Sequence, residues 1–132
     1  LGSGLGLAIG GKLAAPDKLV VNVMGDAGFG MTGMDFETAV RSKIPILTIV
    51  MNNSVMGGYE KYLAVSTARY GTRLLSGDYS KVAEALGGYT ERVEKPHDLV
   101  PALRRAIEEV EAGRAALLEV ITREEPVYPT YW

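Results

Sequence analysis

The chain contains no cysteine, one histidine and one tryptophan. Without cysteine there are no disulfides, thiolate metal sites or cysteine nucleophiles to consider. That absence fits a reducing compartment, and a cytoplasmic location is expected. A single imidazole, His97, leaves a Ser-His-Asp relay little to build on. It stands beside Pro96 at the start of a helical pattern and reads as a surface or capping residue. Strong charge of one sign is missing as well. A net charge of −2, with no long basic run, argues against nucleic acid as a partner. The longest apolar runs are strand-sized, so no membrane-spanning helix is expected. Leu1 to Gly11 carries no positive charge, so no secretory leader is expected there.

What is present is the composition of a globular chain. With 132 residues, 47% hydrophobic and 23% charged, residues 1–132 are expected to form one domain with a real core. The chain opens on Leu1 rather than Met, in a glycine-rich stretch, and is expected to be a fragment or one subunit of a larger enzyme.

Hydrophobic patterning predicts a helix over 5–14, closed by Pro16-Asp17, and a buried, Val-rich strand over 19–24. A glycine-rich loop over 25–31 follows. Thr32 is placed to cap the next helix, with Asp35 three residues on and Met34, Phe36, Ala39 and Val40 on its apolar face. A second strand is predicted over 46–51, a loop over 52–58 and a weak helical pattern over 59–70. Then come a helix over 78–86 stopped by Gly87-Gly88, a strand over 89–93, a long helix from Pro96 to about Ala112, and a last strand over 115–121. Pro126 and Pro129 make the tail irregular; Tyr128, Tyr131 and Trp132 there could cover a site or simply lie exposed. The order α-β-α-β-α-α-β-α-β predicts a doubly wound α/β domain, with a mostly parallel sheet and helices on both faces.

Two polar clusters sit directly after the first two strands. Gly25-Asp26-Ala27-Gly28 follows the first, and Asn52-Asn53 follows the second, with Asn53 27 positions after Asp26. Parallel strands joined by a crossover bring both clusters to one sheet edge. Alone, Gly-Asp is a turn or helix start, and Asn-Asn a turn. Together they offer a carboxylate and a neutral amide oxygen, a donor set for Mg²⁺ on a diphosphate. Glycines 25, 28 and 30 let backbone N–H groups approach phosphate oxygens. One Asn should reach the metal while the other braces the loop. Glu108, Glu109 and Glu111 with Arg104 and Arg105 read as a solvated helix face, and Gly2-x-Gly4-x-Gly6 lacks the preceding strand a dinucleotide fingerprint requires.

Gly25-Asp26-Ala27, the spacer and Asn52-Asn53 resemble the diphosphate-binding domain of thiamine diphosphate enzymes, in the branch of acetolactate synthase, pyruvate decarboxylase and benzoylformate decarboxylase. The stretch from Met31 to Val40 and the stretch from Leu1 to Gly10 are similar to the acetolactate synthase version in particular. The resemblance is detailed over about the first 60 residues and persists as architecture to about Thr122. It implies thiamine diphosphate and Mg²⁺ as cofactors, with the metal on Asp26, Asn53 and the backbone carbonyl of Val55. It further implies diphosphate contacts from Gly25, Ala27, Gly28, Met56, Gly57 and Gly58, and places Leu1 under the cofactor. A 2-keto acid substrate, a homo-oligomer, and a pyrimidine-binding domain on the same or a partner chain are implied too. That domain supplies the family's glutamate, so no catalytic acid or base is assigned here. The alternatives are another lyase or oxidase using the same cofactor, a non-catalytic α/β assembly module, and a nicotinamide-binding domain.

Overall fold

Strands β1 (Val21–Gly25), β2 (Leu47–Asn52), β3 (Tyr89–Val93) and β4 (Ala116–Ile121) form one parallel sheet in the order β1-β2-β4-β3. They belong to a computed structural model that describes residues 1–124; the expectations for Pro126, Tyr128, Pro129, Tyr131 and Trp132 lie outside the described residues. The doubly wound α/β architecture is therefore as expected. The two central strands read as apolar runs because both their faces are covered. Register pairs Gly25 with Met51 and Asn52 with Ile121, so the chain leaves β1, β2 and β4 at nearly the same level.

The helices divide between the two faces. On one, α1 (Gly4–Ala14), α2 (Asp26–Thr32), α3 (Asp35–Arg41) and α6 (Tyr79–Ala85) bury Leu5, Phe29, Phe36, Ala39 and Ala83 against Val50 and Leu117. On the other, α7 (Leu99–Glu111) packs Ala102, Ala106 and Val110 onto Leu47, Val93, Ala116 and Leu118. The small residues of α7 let its axis lie close to the sheet. Its cover stops short of β1, so the strand expected to be buried is not: Val21 and Val23 are 46% and 59% exposed, and Met51 of β2, on the same face, is 47% exposed.

Several local expectations are corrected. The predicted loop over 25–31 is helix α2, which begins on Asp26. Glycines 28 and 30 weaken a helix, but Phe29 is 2% exposed in the core, and packing overrides propensity. Thr32 caps nothing: it ends α2, and its hydroxyl donates to the Gly2 carbonyl at 2.8 Å. Gly33 and Met34 are themselves helical, which leaves no extended residue to act as a cap before α3. β1 starts at Val21 rather than Leu19: its neighbour β2 begins only at Leu47, and Pro45 before it has no N–H to extend the ladder. The pattern over 59–70 divides at Leu63 into α4 (Tyr59–Tyr62) and α5 (Ala64–Tyr70). The stretch after Pro96 begins as a short 3-10 turn, Pro96–Asp98.

Gly88 precedes β3 where the backbone passes the fully buried Phe36. A Cβ there would sit 2.4 Å from Phe36 Cε1 and 3.3 Å from the Ala115 carbonyl oxygen. Gly88→Ala is expected to lower unfolding free energy by about 1–3 kcal/mol, read from urea denaturation, because the ring is enclosed and overpacking forces it off its position.

Candidate functional site

Gly25 is extended (φ −80°, ψ 164°) and turns the chain from β1 into α2, putting Asp26 at the first helical position. A carboxylate is favoured there by the helix dipole. Asp26 is nevertheless 3% exposed. Its Oδ1 accepts from its neighbour's N–H, Ala27, at 2.9 Å. Its Oδ2 accepts from the Ser54 N–H at 2.7 Å, so the carboxylate ties the end of β1 to the loop after β2.

That loop is built by its two asparagines. Asn52 points into the sheet and is 3% exposed. Its Oδ1 accepts from the Ser54 N–H at 2.9 Å and the Ser54 hydroxyl at 3.1 Å. Asn53 turns the other way, and its Oδ1 accepts from the Val55 N–H at 3.1 Å. Ser54 between them has φ 60°, a left-handed conformation that costs a non-glycine residue free energy and is held by these bonds. Val55 then pairs antiparallel with Leu74 through the bonds Met56 N–H to Arg73 O (2.7 Å) and Leu75 N–H to Ser54 O (2.9 Å). In that pairing the Val55 carbonyl faces away from residues 73–75. The Arg73 guanidinium pairs with Glu60 and Glu124, tying α4 to the chain just past β4. Its pKa is raised, chiefly by the bond to Glu124.

The strand ends enclose a cleft of about 530 Å³. Leu1, Gly25, Asp26, Ala27, Gly28, Asn53, Val55, Met56 and Gly57 of the expected set line it. Gly58 does not: at φ 83° it makes the left-handed turn into α4, with Tyr62 packed against it. Ala27 lines the cleft, but its N–H is engaged by Asp26. Met51, Tyr59, Thr122 and Arg123 line the cleft without having been anticipated. Thr122 and Arg123 follow β4 as Asp26 follows β1, so the strand-end rule could have found them.

Sequence reasoning also passed over Glu119, a carboxylate inside the apolar strand Leu117-Leu118-Glu119-Val120 and 0% exposed. It accepts from Asn52 Nδ2, Arg92 Nη1 and the Ser80 N–H. Tyr79, edge-on to Phe29, has its phenol pushed up by burial first and then by the charges of Asp26 and Glu119. Among the described residues no three His, Asp or Glu side chains converge as a metal cluster. A cation in this cleft would have one carboxylate, with neutral oxygens around it, a set suited to Mg²⁺ shared with phosphate oxygens. Among the described residues no helix is long and apolar enough to cross a membrane.

A glycine-lined cleft outside the carboxyl ends of parallel strands is where open α/β sheets bind phosphorylated ligands. Residues 1–120 match the family described as "Thiamine pyrophosphate enzyme, C-terminal TPP binding domain", and the chain belongs to that family. It is 39% identical to a probable acetolactate synthase of Mycobacterium bovis, an alignment covering 98% of this chain and 23% of the relative. It is 38% identical to a 2-hydroxyacyl-CoA lyase of Oryza sativa, covering 92% of this chain and 22% of the relative. Its fold superimposes on a thiamine diphosphate-dependent 4-hydroxybenzoylformate decarboxylase of Rhodococcus jostii with a TM-score of 0.81 and 27% identity, over 96% of this chain and 24% of that one. The chain thus spans less than a quarter of the length of these relatives.

Asp78, the N-cap of α6, borders the Glu119 cluster. Bonds from the Ser80 hydroxyl (2.5 Å) and the Lys81 N–H (3.0 Å) lower its pKa to about 2. A depressed carboxylate stabilises the fold above its unfolded value and ceases to as pH falls through its folded value. The difference in urea midpoint between wild type and Asp78→Asn is expected to be constant at neutral pH. It should shrink as pH drops from 3.8 toward about 2.

Proposed function

We propose that this chain holds the diphosphate and Mg²⁺ of thiamine diphosphate within a 2-keto acid decarboxylase or carboligase of the acetolactate synthase type. The observation that carries the reading is the buried Asp26, which lines a cleft together with Asn53 and Val55. Each Asp26 oxygen accepts one backbone N–H and keeps a lone pair for a metal. In this reading Asp26, Asn53 and the Val55 carbonyl ligate Mg²⁺. Gly25, Gly28, Met56 and Gly57 line the diphosphate, as does Ala27, whose N–H must leave Asp26 if it is to bind a phosphate oxygen. Gly58 sets the turn behind them. Leu1, at the cleft mouth, supports the thiazolium side.

Thiamine diphosphate itself supplies the carbanion stabilisation of such reactions. The chain's part is to anchor, orient and neutralise. Among the described residues that line the cleft Asp26 is the one acid, and in this role it is committed to the metal. In this reading the proton-transfer glutamate comes, as the family resemblance implies, from a pyrimidine-binding domain, of the same chain or a partner, in a homo-oligomer. The exposed Leu1 and Met51 at the cleft are apolar surface for that docking. The cofactor site leaves the substrate open, because the residues that would discriminate one 2-keto acid from another lie outside this cleft. A lyase acting on another substrate class is the second reading, favoured by the similarity to the Oryza sativa enzyme.

Calorimetric titration of thiamine diphosphate into the full-length protein that carries this chain tests the proposal. Binding is expected with Mg²⁺ and not with EDTA. Asp26→Asn and Asn53→Ala are each expected to weaken it by at least about tenfold. Undiminished Mg²⁺-dependent binding by Asp26→Asn would overturn the assignment. A panel of 2-keto acids and acyl-CoA adducts given to the same protein separates the two substrate readings.

A further inference from the structure

We propose that Glu119 is a positioning residue for the metal site, acting on Asp26 through Asn52 and Ser54; this rests on the reading of the cleft given above. The starting observation is energetic. A carboxylate in the middle of a central strand, flanked by the fully buried Leu117 and Leu118, costs several kcal/mol of desolvation unless it is well met. An apolar residue at 119 would serve the core at least as well. Glu119 is met by three donors: Asn52 Nδ2 at 2.7 Å and Arg92 Nη1 at 2.9 Å on Oε1, and the Ser80 N–H at 3.0 Å on Oε2.

The polarity of this cluster has a consequence. Glu119 Oε1 accepts from Asn52 Nδ2 and Arg92 Nη1, and this turns the Asn52 NH₂ toward β4 and its carbonyl oxygen toward the loop. That oxygen takes the Ser54 N–H (2.9 Å) and hydroxyl (3.1 Å). The Ser54 N–H, held at φ 60°, also reaches Asp26 Oδ2 at 2.7 Å. A connected set of hydrogen bonds thus links Arg92, Glu119, Asn52, Ser54 and Asp26: Arg92 and Asn52 donate to Glu119, and the Ser54 N–H donates to Asn52 and to Asp26. It crosses β3, β4 and β2 and ends at the carboxylate at the head of α2. Asn52 is the member that can reverse, because an amide offers a donor at one end and an acceptor at the other.

Leucine at 119 serves the core but removes the acceptor that faces Asn52. Asn52 is then free to flip, which puts its NH₂ against the Ser54 N–H, and Ser54 loses the acceptor that holds its left-handed turn. Asp26 Oδ2 then loses a fixed donor. Partners of this kind behind a metal ligand are worth about 10–100-fold in metal affinity. Glutamine keeps the acceptor, with its oxygen toward Asn52 and Arg92 and its NH₂ against the Ser80 N–H alone.

The experiment uses the full-length protein and reads the Mg²⁺ concentration for half-maximal thiamine diphosphate binding by calorimetry. It also reads kcat on a 2-keto acid at saturating cofactor, and the unfolding midpoint. Glu119→Leu is expected to raise the Mg²⁺ half-saturation by at least about tenfold, with kcat within about twofold once metal is saturating. Glu119→Gln, which keeps the acceptor, is expected to return the half-saturation toward wild type. Should Glu119→Leu not fold, Asn52→Ala carries the same expectation for Mg²⁺. A folded Glu119→Leu or Asn52→Ala with wild-type Mg²⁺ dependence would overturn the positioning role. If Asp26→Asn loses binding alongside that result, the cofactor reading stands; if Asp26→Asn binds normally, both readings fall.

Discussion

A carboxylate taken out of water has to be met by donors, or it neutralises or moves. Here two carboxylates, Asp26 directly after β1 and Glu119 within β4, are 3% and 0% exposed, on strands separated by β2. Neither has enough donors on its own element. Asp26 recruits the Ser54 N–H from the loop after β2, and Glu119 recruits Asn52, Arg92 and the Ser80 N–H from β2, β3 and α6. Satisfying them joins β1, β2, β3, β4, α2 and α6 at one edge of the sheet. The left-handed Ser54 persists because it lies where the two networks meet. Local strain of this kind survives when its surroundings over-determine it.

The remainder of the fold makes that edge rigid. The register fixes the height at which β1 and β2 end, and apolar cores on both faces hold the register. Small residues carry close contacts throughout: α7 approaches the sheet on alanines, and Gly88 and Gly33 leave room for the rings of Phe36 and Phe29. The cleft wall over 54–57 is held from behind, by pairing with residues 73–75 and by Arg73 between Glu60 and Glu124. The site is thus carried by elements that are packed or cross-linked, as geometry-sensitive phosphate binding requires.

Much of this was legible beforehand. Apolar runs of strand length alternating with helical patterns give a parallel sheet, and polar residues just after two such runs converge at one edge. The separate roles of Asn52 and Asn53 follow from alternation along a strand, which sends neighbouring side chains to opposite sides. The errors were local and share one cause. Glycines over 25–31 read as a loop, yet the segment is a helix because Phe29 is buried; Thr32 read as a cap, yet it ends a helix and bonds to Gly2. Propensity and cap signals are weak preferences that packing outweighs.

The sequence alone determined the fold class, the strand-end location of the cleft and Gly25, Asp26, Gly28 and Asn53 on its wall, since periodicity and spacing encode which side chains share a face or an edge; Leu1, Ala27, Val55, Met56 and Gly57 were legible only through the family resemblance. Tertiary structure decided which of them are buried and which way their hydrogen bonds run. Glu119 is the clearest case: in sequence it is one charge in an apolar strand, 67 positions from Asn52, and only the register of β2 against β4 brings the two to 2.7 Å. Pairwise contacts between residues far apart in the chain depend on the sum of the packing, and no local pattern carries that sum.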